Sequence, residues 1–304
     1  MRMEWGLLLW ITVGCGGVTS STETPVDAPA MDTPVDAPRM CDPLAKFGAP
    51  MPIPGLAMVD GGTARLSPDE LTIYFSSTNP AELWVAHRSA LAEAFGTPAL
   101  IAAQNSSSGE FDPTVSSDGL TLWFSSNRVA NEGNHLYVAT RASMLAEFGV
   151  PGVAATVNAT DTKQIDGQPF LTADGTELWF VSSRAGLGVY HIWHAARTSG
   201  GFTTPAIVPE LNSSSEDWLP TLSADRLTVY FASTRPAAGT KGGFETWRSH
   251  RSTVNDGFRE PTLVDELNTA GDEGVTWLSA DNCRVYGASS VTGLYRLYVA
   301  TRQP

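Results

Sequence analysis

An all-β fold, a single β-propeller of five four-stranded blades, is what the sequence predicts, and three observations predict it. A Ser/Thr-x-Asp turn followed by an aromatic strand recurs five times. The recurrence keeps a period near 50 residues, as blade-type repeats do. A strand signature isolated at the N-terminal side matches the strand that the last repeat lacks.

The turns are Ser67-Pro68-Asp69, Ser116-Ser117-Asp118, Thr172-Ala173-Asp174, Ser223-Ala224-Asp225 and Ser279-Ala280-Asp281, with aspartates 49, 56, 51 and 56 residues apart. Side-chain oxygens in such turns satisfy nearby backbone donors, and Gly119 or Gly175 can adopt positive φ. An aromatic follows each Asp: Tyr74, Trp123, Trp179, Tyr230 and Tyr286. Phe75, Phe124, Phe180 and Phe231 come next in four units, and Gly287 in the fifth. A third strand follows, such as Leu136-Tyr137-Val138-Ala139, and then a Phe-x-x-Pro step (Phe95/Pro98, Phe148/Pro151, Phe202/Pro205, Phe258/Pro261) into a fourth. Proline is tolerated at strand starts and edges, so the fourth strand is an edge strand. Four strands in about 50 residues is the content of a propeller blade. The last unit ends at Thr301-Arg302 after its third strand, while Phe47-Gly48-Ala49-Pro50 is a Phe-x-x-Pro step with no strands before it. The N-terminal strand is therefore expected to complete the C-terminal blade and remove the open edge.

The segment Pro113-Thr114-Val115-Ser116-Ser117-Asp118-Gly119, continuing to Ser125-Ser126-Asn127-Arg128, resembles the repeat of TolB-like, WD-repeat-like propellers. Pro169 to Arg184 and Pro220 to Arg235 are similar to it, the first and last units are degenerate, and the likeness runs over residues 47–302. Propellers of that family are commonly six-bladed, whereas the residues here supply five. The resemblance implies an interaction domain. Kelch repeats share the period, but their Gly-Gly doublet is not in phase here.

Three segments are expected: a signal peptide at 1–14, a lipidated Cys15 with a Pro/Asp-rich tether to 45, and the propeller from 46 to 304. Leu7 to Val13 is an apolar run of seven. A bilayer needs about 20, so the run reads as a signal and not a span. Val13-Gly14-Cys15-Gly16-Gly17 resembles the lipobox of bacterial lipoproteins, with Thr12 where that family usually has Leu. The resemblance implies lipid on Cys15 and, with no Asp at position 16, an outer-membrane address. Thr24-Pro25-Val26-Asp27-Ala28-Pro29 recurs as Thr33-Pro34-Val35-Asp36-Ala37-Pro38, an extended, solvated composition.

Nineteen Lys and Arg against 32 Asp and Glu give a formal charge of −13. That balance argues against nucleic acid and anionic membranes, which recruit basic clusters. Membrane contact is expected only through the lipid, and the protein is expected to be a monomer. The three cysteines are too few for a disulfide scaffold or a Cys-rich zinc site. In a closed ring Cys41 precedes the closing strand and Cys283 lies in the hairpin of the same blade; the two form a disulfide or remain two separate thiols.

Eight residues before the repeat aspartates stand Glu110, Asp166, Asp217 and Glu273. They begin the innermost strands, so they would ring one mouth of the axial channel and bind a metal ion, a cationic peptide or a sugar. The competing reading is structural. Arg128, Arg184 and Arg235 end the neighbouring strands of three of these units and would neutralise the carboxylates. Asp272 and Glu273 face Val291 instead and are the freer candidates, with Trp218 as an aromatic platform. No catalytic residue, metal set or cofactor motif is assigned. His191 and His194 are three apart on a strand, which sends them to opposite faces. The expected function is a non-catalytic, envelope-anchored module binding a protein or glycan. The alternative is an extracellular carbohydrate-active hydrolase using two mouth carboxylates.

Overall fold

Alternating apolar residues pair each repeat into an antiparallel blade. The computed structural model describes residues 40–186 and 189–302. The signal segment 1–14, Cys15 and the Thr-Pro-Val-Asp-Ala-Pro repeats lie outside the described residues. In chain order, β1 (Met51–Pro52) precedes blade one, which is β2 (Gly61–Leu66), β3 (Thr72–Ser77), β4 (Leu83–His87) and β5 (Ala99–Leu100). Blade two is β6 (Glu110–Val115), β7 (Thr121–Ser126), β8 (His135–Thr140) and β9 (Gly152–Val153). Blade three is β10 (Asp166–Leu171), β11 (Glu177–Ser182) and β12 (His191–Thr198), with β13 (Gly201–Phe202) and β14 (Ala206–Ile207) both pairing with β12. Blade four is β15 (Asp217–Leu222), β16 (Thr228–Ser233), β17 (Glu245–His250) and β18 (Thr262–Leu263). Blade five is β19 (Glu273–Leu278), β20 (Arg284–Ser289) and β21 (Arg296–Thr301), completed by β1.

The closure is specific in register. Met51 pairs with Val299 and Pro52 with Tyr298, and the Gly48 N–H donates to the Thr301 carbonyl at 2.7 Å. A disulfide joins Cys41 to Cys283, with Cα atoms 5.1 Å apart. Cys41 is buried and its N–H donates to the Asp281 carbonyl, so the folded unit takes in the last residues that the sequence assigns to the tether. An Arg-over-Phe contact repeats at the end of every third strand: Arg88 on Phe95, Arg141 on Phe148, Arg197 on Phe202 and Arg251 on Phe258 at 4.4–4.7 Å. The fifth instance is Arg302 on Phe47 at 4.0 Å, made across the seam. A guanidinium on an aromatic face gains electrostatic attraction while its stem covers apolar surface.

Packing between blades uses the second strands, buried on both faces; β16 is buried at all six positions. Five clusters fill five interfaces. Phe124 and Leu122 meet Tyr74 between blades one and two, and Phe180 meets Trp123 between two and three. Phe231 meets Trp179, and Tyr230 meets Val285. Leu66 and Phe75 meet Tyr286 and Leu297 at the closing interface, which packs like the others. An asparagine then ties each of four blades to the next. Asn105 accepts from the Leu83 N–H at 2.7 Å and donates to its carbonyl at 3.1 Å, and Asn158, Asn212 and Asn268 repeat this on Leu136, Ile192 and Thr246.

Every innermost strand carries one extra residue against its partner. The register shifts fall between Gly61 and Thr63, Phe111 and Thr114, Gly167 and Phe170, Trp218 and Thr221, and Val275 and Trp277. In three of them a non-glycine residue takes positive φ: Asp112 at 56°, Gln168 at 54° and Leu219 at 54°. Bulges re-aim side chains and recur near functional sites. Here they decide what faces the axis.

Candidate functional site

Strand alternation would send one residue of each adjacent pair toward the channel. The bulges send both. Phe111 with Asp112, Gly167 with Gln168, and Trp218 with Leu219 all line one axial pocket of about 450 Å³ at the start of the innermost strands. Trp218 packs edge-on against Tyr190 (ring centroids 5.2 Å apart) and tilted against Phe244 (4.7 Å). With Phe111 and Tyr295 these rings give the pocket a half-buried aromatic wall. Its charged lining residues are Asp112, Asp272 and Glu273, and no Lys, Arg or His lines it among the described residues.

Each of the three carboxylates is held in place. Asp112 accepts from Thr63 Oγ1 at 2.7 Å and Ser125 Oγ at 3.2 Å, and the Gln168 N–H also donates to it. Asp272 accepts from the Phe244 N–H at 2.9 Å and the Tyr295 hydroxyl at 3.1 Å. Glu273 accepts from Thr269 Oγ1, the Thr269 N–H and Ser289 Oγ. Burial, outweighing the donors and the attraction of Arg65, pushes the Asp112 carboxyl above the usual range. Burial and the neighbouring Asp272 push the Tyr295 hydroxyl up to about 12.

The raised pKa of Asp112 fixes a pH dependence. An acid favoured in its neutral form by the folded state stabilises that state below its ordinary pKa of about 3.9, and the contribution is lost as pH rises through the raised value. Asp112→Asn stays neutral, so its melting temperature rises relative to the parent as pH climbs above about 4. Paired thermal melts across that range check this; a gap constant with pH means Asp112 titrates as an ordinary aspartate.

Of the six sequence-predicted ligand residues, the structure brings Asp272, Glu273 and Trp218 to the pocket. Glu110, Asp166 and Asp217 require correction as ligand candidates. Each is 0% exposed and stands behind the wall, paired with Arg128 at 3.3 Å, Arg184 at 2.5 Å and Arg235 at 2.6 Å. Their other acceptor positions receive loop donors: the N–H groups of Ser106, Ala159 and Ser213. Burial without pairing would be costly for a carboxylate, and the repeat supplies the arginine. In blade five Val291 stands at the arginine's offset, and Glu273, on the lining, keeps only the hydroxyl donors Thr269 and Ser289, the counterparts of Ser106 and Ser126 on Glu110 and of Ser213 and Ser233 on Asp217. Asp112, Gln168, Phe111, Tyr190, Phe244 and Tyr295 were not singled out from sequence. Among the described residues no group of three or more His, Cys, Asp or Glu is placed to hold a metal ion.

No protein-family profile and no curated protein matches the chain. Solved structures do. A thermostable family-43 glycoside hydrolase superposes with a TM-score of 0.56 at 11% identity, over 83% of this chain and 91% of that one. A proposed glycoside hydrolase from Parabacteroides distasonis gives 0.52 at 13% identity, over 86% and 95%. A proposed TolB from Agrobacterium tumefaciens gives 0.48 at 17% identity, over 75% and 69%. At these identities the likeness of the two glycoside-hydrolase structures is one of fold alone. Propellers host many unrelated activities, so function rests on the site.

Proposed function

We propose that this chain is a monomeric, non-catalytic binding module of the bacterial cell envelope, tethered to the outer membrane by lipid on Cys15 and using its axial pocket to hold a glycan. The carrying observation is the juxtaposition of the Trp218–Phe244–Tyr190 wall with carboxylates already fixed by their own donors. A sugar ring lays its C–H face on an aromatic ring and donates its hydroxyls to anchored carboxylates, whose hydrogen bonds are stronger than neutral ones. A concave, largely apolar pocket with a few convergent polar groups suits a ligand of this size. A macromolecular partner would enter the same pocket with one side chain.

The test is a glycan array followed by calorimetry on the full chain. Trp218→Ala is expected to weaken the best ligand by at least about tenfold, or 1.4 kcal/mol. Absence of any glycan ligand, or unchanged affinity in that variant, overturns the reading. Lipidation is checked separately, as a mass increment on the mature N-terminus that Cys15→Ser abolishes.

One observation favours hydrolysis as the second reading. A carboxyl biased toward its neutral form shares the pocket with Asp272 and Glu273, the pairing of acid and carboxylate that glycoside cleavage uses. Turnover of any oligosaccharide in a hydrolysis panel, abolished by Asp112→Asn or Asp272→Asn, would replace the binding assignment with this one.

A further inference from the structure

Charge in the axial pocket is unequally compensated. Asp112 has a cation near it: Arg65, two residues beyond Thr63 on β2, spans the axis to Thr221 Oγ1 of blade four and the Thr276 carbonyl of blade five, and attracts the Asp112 carboxyl. Asp272 and Glu273, in blade five, make no ion pair among the described residues, whereas Glu110, Asp166 and Asp217 each hold an arginine. Lys241, on the loop that leads to Phe244, is held instead by Asp265 at 3.0 Å and by the Asn268 carbonyl at 2.7 Å. Asp272 is half-buried, and its neighbours are the aromatic wall itself. The Phe244 N–H and the Tyr295 hydroxyl donate to it, and the Phe244 ring lies 4.7 Å from that of Trp218. Gly243 permits this approach, since a Cβ there would stand 2.5 Å from Asp272 Oδ1.

An ionised carboxylate has about four acceptor positions, so these two donors leave Asp272 room for more. The pocket's own hydroxyls are spent inward: Thr63 on Asp112, Tyr295 on Asp272, and Ser77 on the Pro80 carbonyl at 2.6 Å. The lining therefore offers a ligand acceptors and π faces more than donors. A sugar hydroxyl, with one hydrogen to give and two lone pairs to fill, uses half of what it carries on such a surface. A protonated amine fits it on both counts, with three N–H donors and no acceptor, and with a positive charge that aromatic faces attract. We infer that the glycan held in this pocket carries a free amine: the pocket selects an amino sugar whose ammonium sits against Asp272 beside the Trp218 and Phe244 rings. The inference rests on the glycan reading above and names the class of sugar. Glu273, next to Asp272 and 2% exposed, adds its charge to the same corner. After burial, it is these two carboxylates that raise the Tyr295 hydroxyl, so both charges act inside the pocket. Acetylation of the amine removes the charge and leaves a single donor.

The probes are the β-1,4-linked dimers of glucosamine, N-acetylglucosamine and glucose, which share one backbone and differ at the 2-position. Each is titrated calorimetrically into the full chain at about pH 6, where amines are protonated and exposed carboxylates ionised. The glucosamine dimer is expected to bind at least about tenfold more tightly than either of the others. That preference shrinks as salt is raised toward about 0.5 M, and Asp272→Asn erases most of it. Equal affinities, or tighter binding of the acetylated or the neutral dimer, overturn the amine inference and leave the glycan reading standing. A preference that survives intact in Asp272→Asn is general attraction to an acidic protein and overturns it too. Failure of all three dimers to bind also overturns the inference, and the glycan array then decides the glycan reading separately.

Discussion

Replacing Cys41 and Cys283 together with serine lowers the unfolding free energy by about 2–5 kcal/mol. The bond links residues 242 apart in sequence and so constrains nearly the whole propeller in the unfolded chain. In the chain-entropy account the stabilisation grows with the logarithm of the loop, which places this bond toward the upper part of that range. It also sits where the ring is completed, beside the Cys41-to-Asp281 backbone hydrogen bond and the Arg302–Phe47 contact. Urea titration of the oxidised protein and the double-serine variant measures the difference. A midpoint that does not move means strand pairing and packing alone hold the seam.

Asp166→Ala is expected to cost about 3–5 kcal/mol, the range for breaking a buried ion pair by removing one partner. Asp166 has no exposure, pairs with Arg184 at 2.5 Å and accepts from the Ala159 N–H at 2.7 Å. The substitution leaves Arg184 with the Val157 carbonyl and Ser182 but no counter-charge. Removing both charges, as Asp166→Leu with Arg184→Met, should recover much of the loss, because similar-sized apolar residues often replace a buried pair without penalty. Chemical denaturation of the two variants separates the cases. A single substitution costing under about 1 kcal/mol would be the behaviour of a surface pair.

The blades were legible because their signal is redundant. Ser116, Asp118, Trp123 and Phe124 recur in phase, and each repeat confirms the reading of the others. Closure was legible from what was missing: a Phe-x-x-Pro step without strands at Phe47 and strands without that step at Arg302. The arginine partners of Glu110, Asp166 and Asp217 were legible from their shared offsets. The asparagines at 105, 158, 212 and 268 carry an equally regular signal that went unread, since each replaces a strand's hydrogen bonds with a side chain and leaves no hydrophobic pattern.

The axial lining was hidden for a different reason. Period-two alternation assigns Asp112 and Gln168 no special face, and only the extra residue with positive φ turns them toward the axis beside Phe111 and Gly167. Sequence therefore placed its acidic collar at the start of the innermost strands, where the axial pocket lies, but in the layer behind the pocket's lining. Tyr190, Phe244 and Tyr295 come from loops between strands, where no periodicity applies. Arg65 differs from the four residues at its offset, two before the turn hydroxyl (Thr114, Phe170, Thr221 and Trp277), a signal that the sequence carries and that went unread.

The axial pocket depends on a ring closed by β1, since an open ring leaves its wall discontinuous. Amide hydrogen exchange at Gly48 and Ile53, which donate to Thr301 and Leu297 across the seam, tests this most directly. Exchange as slow as at Phe124 and Phe231 in the blade interiors, governed by global unfolding, is the predicted result. Loop-like exchange at those two amides, with the interiors still protected, would contradict it.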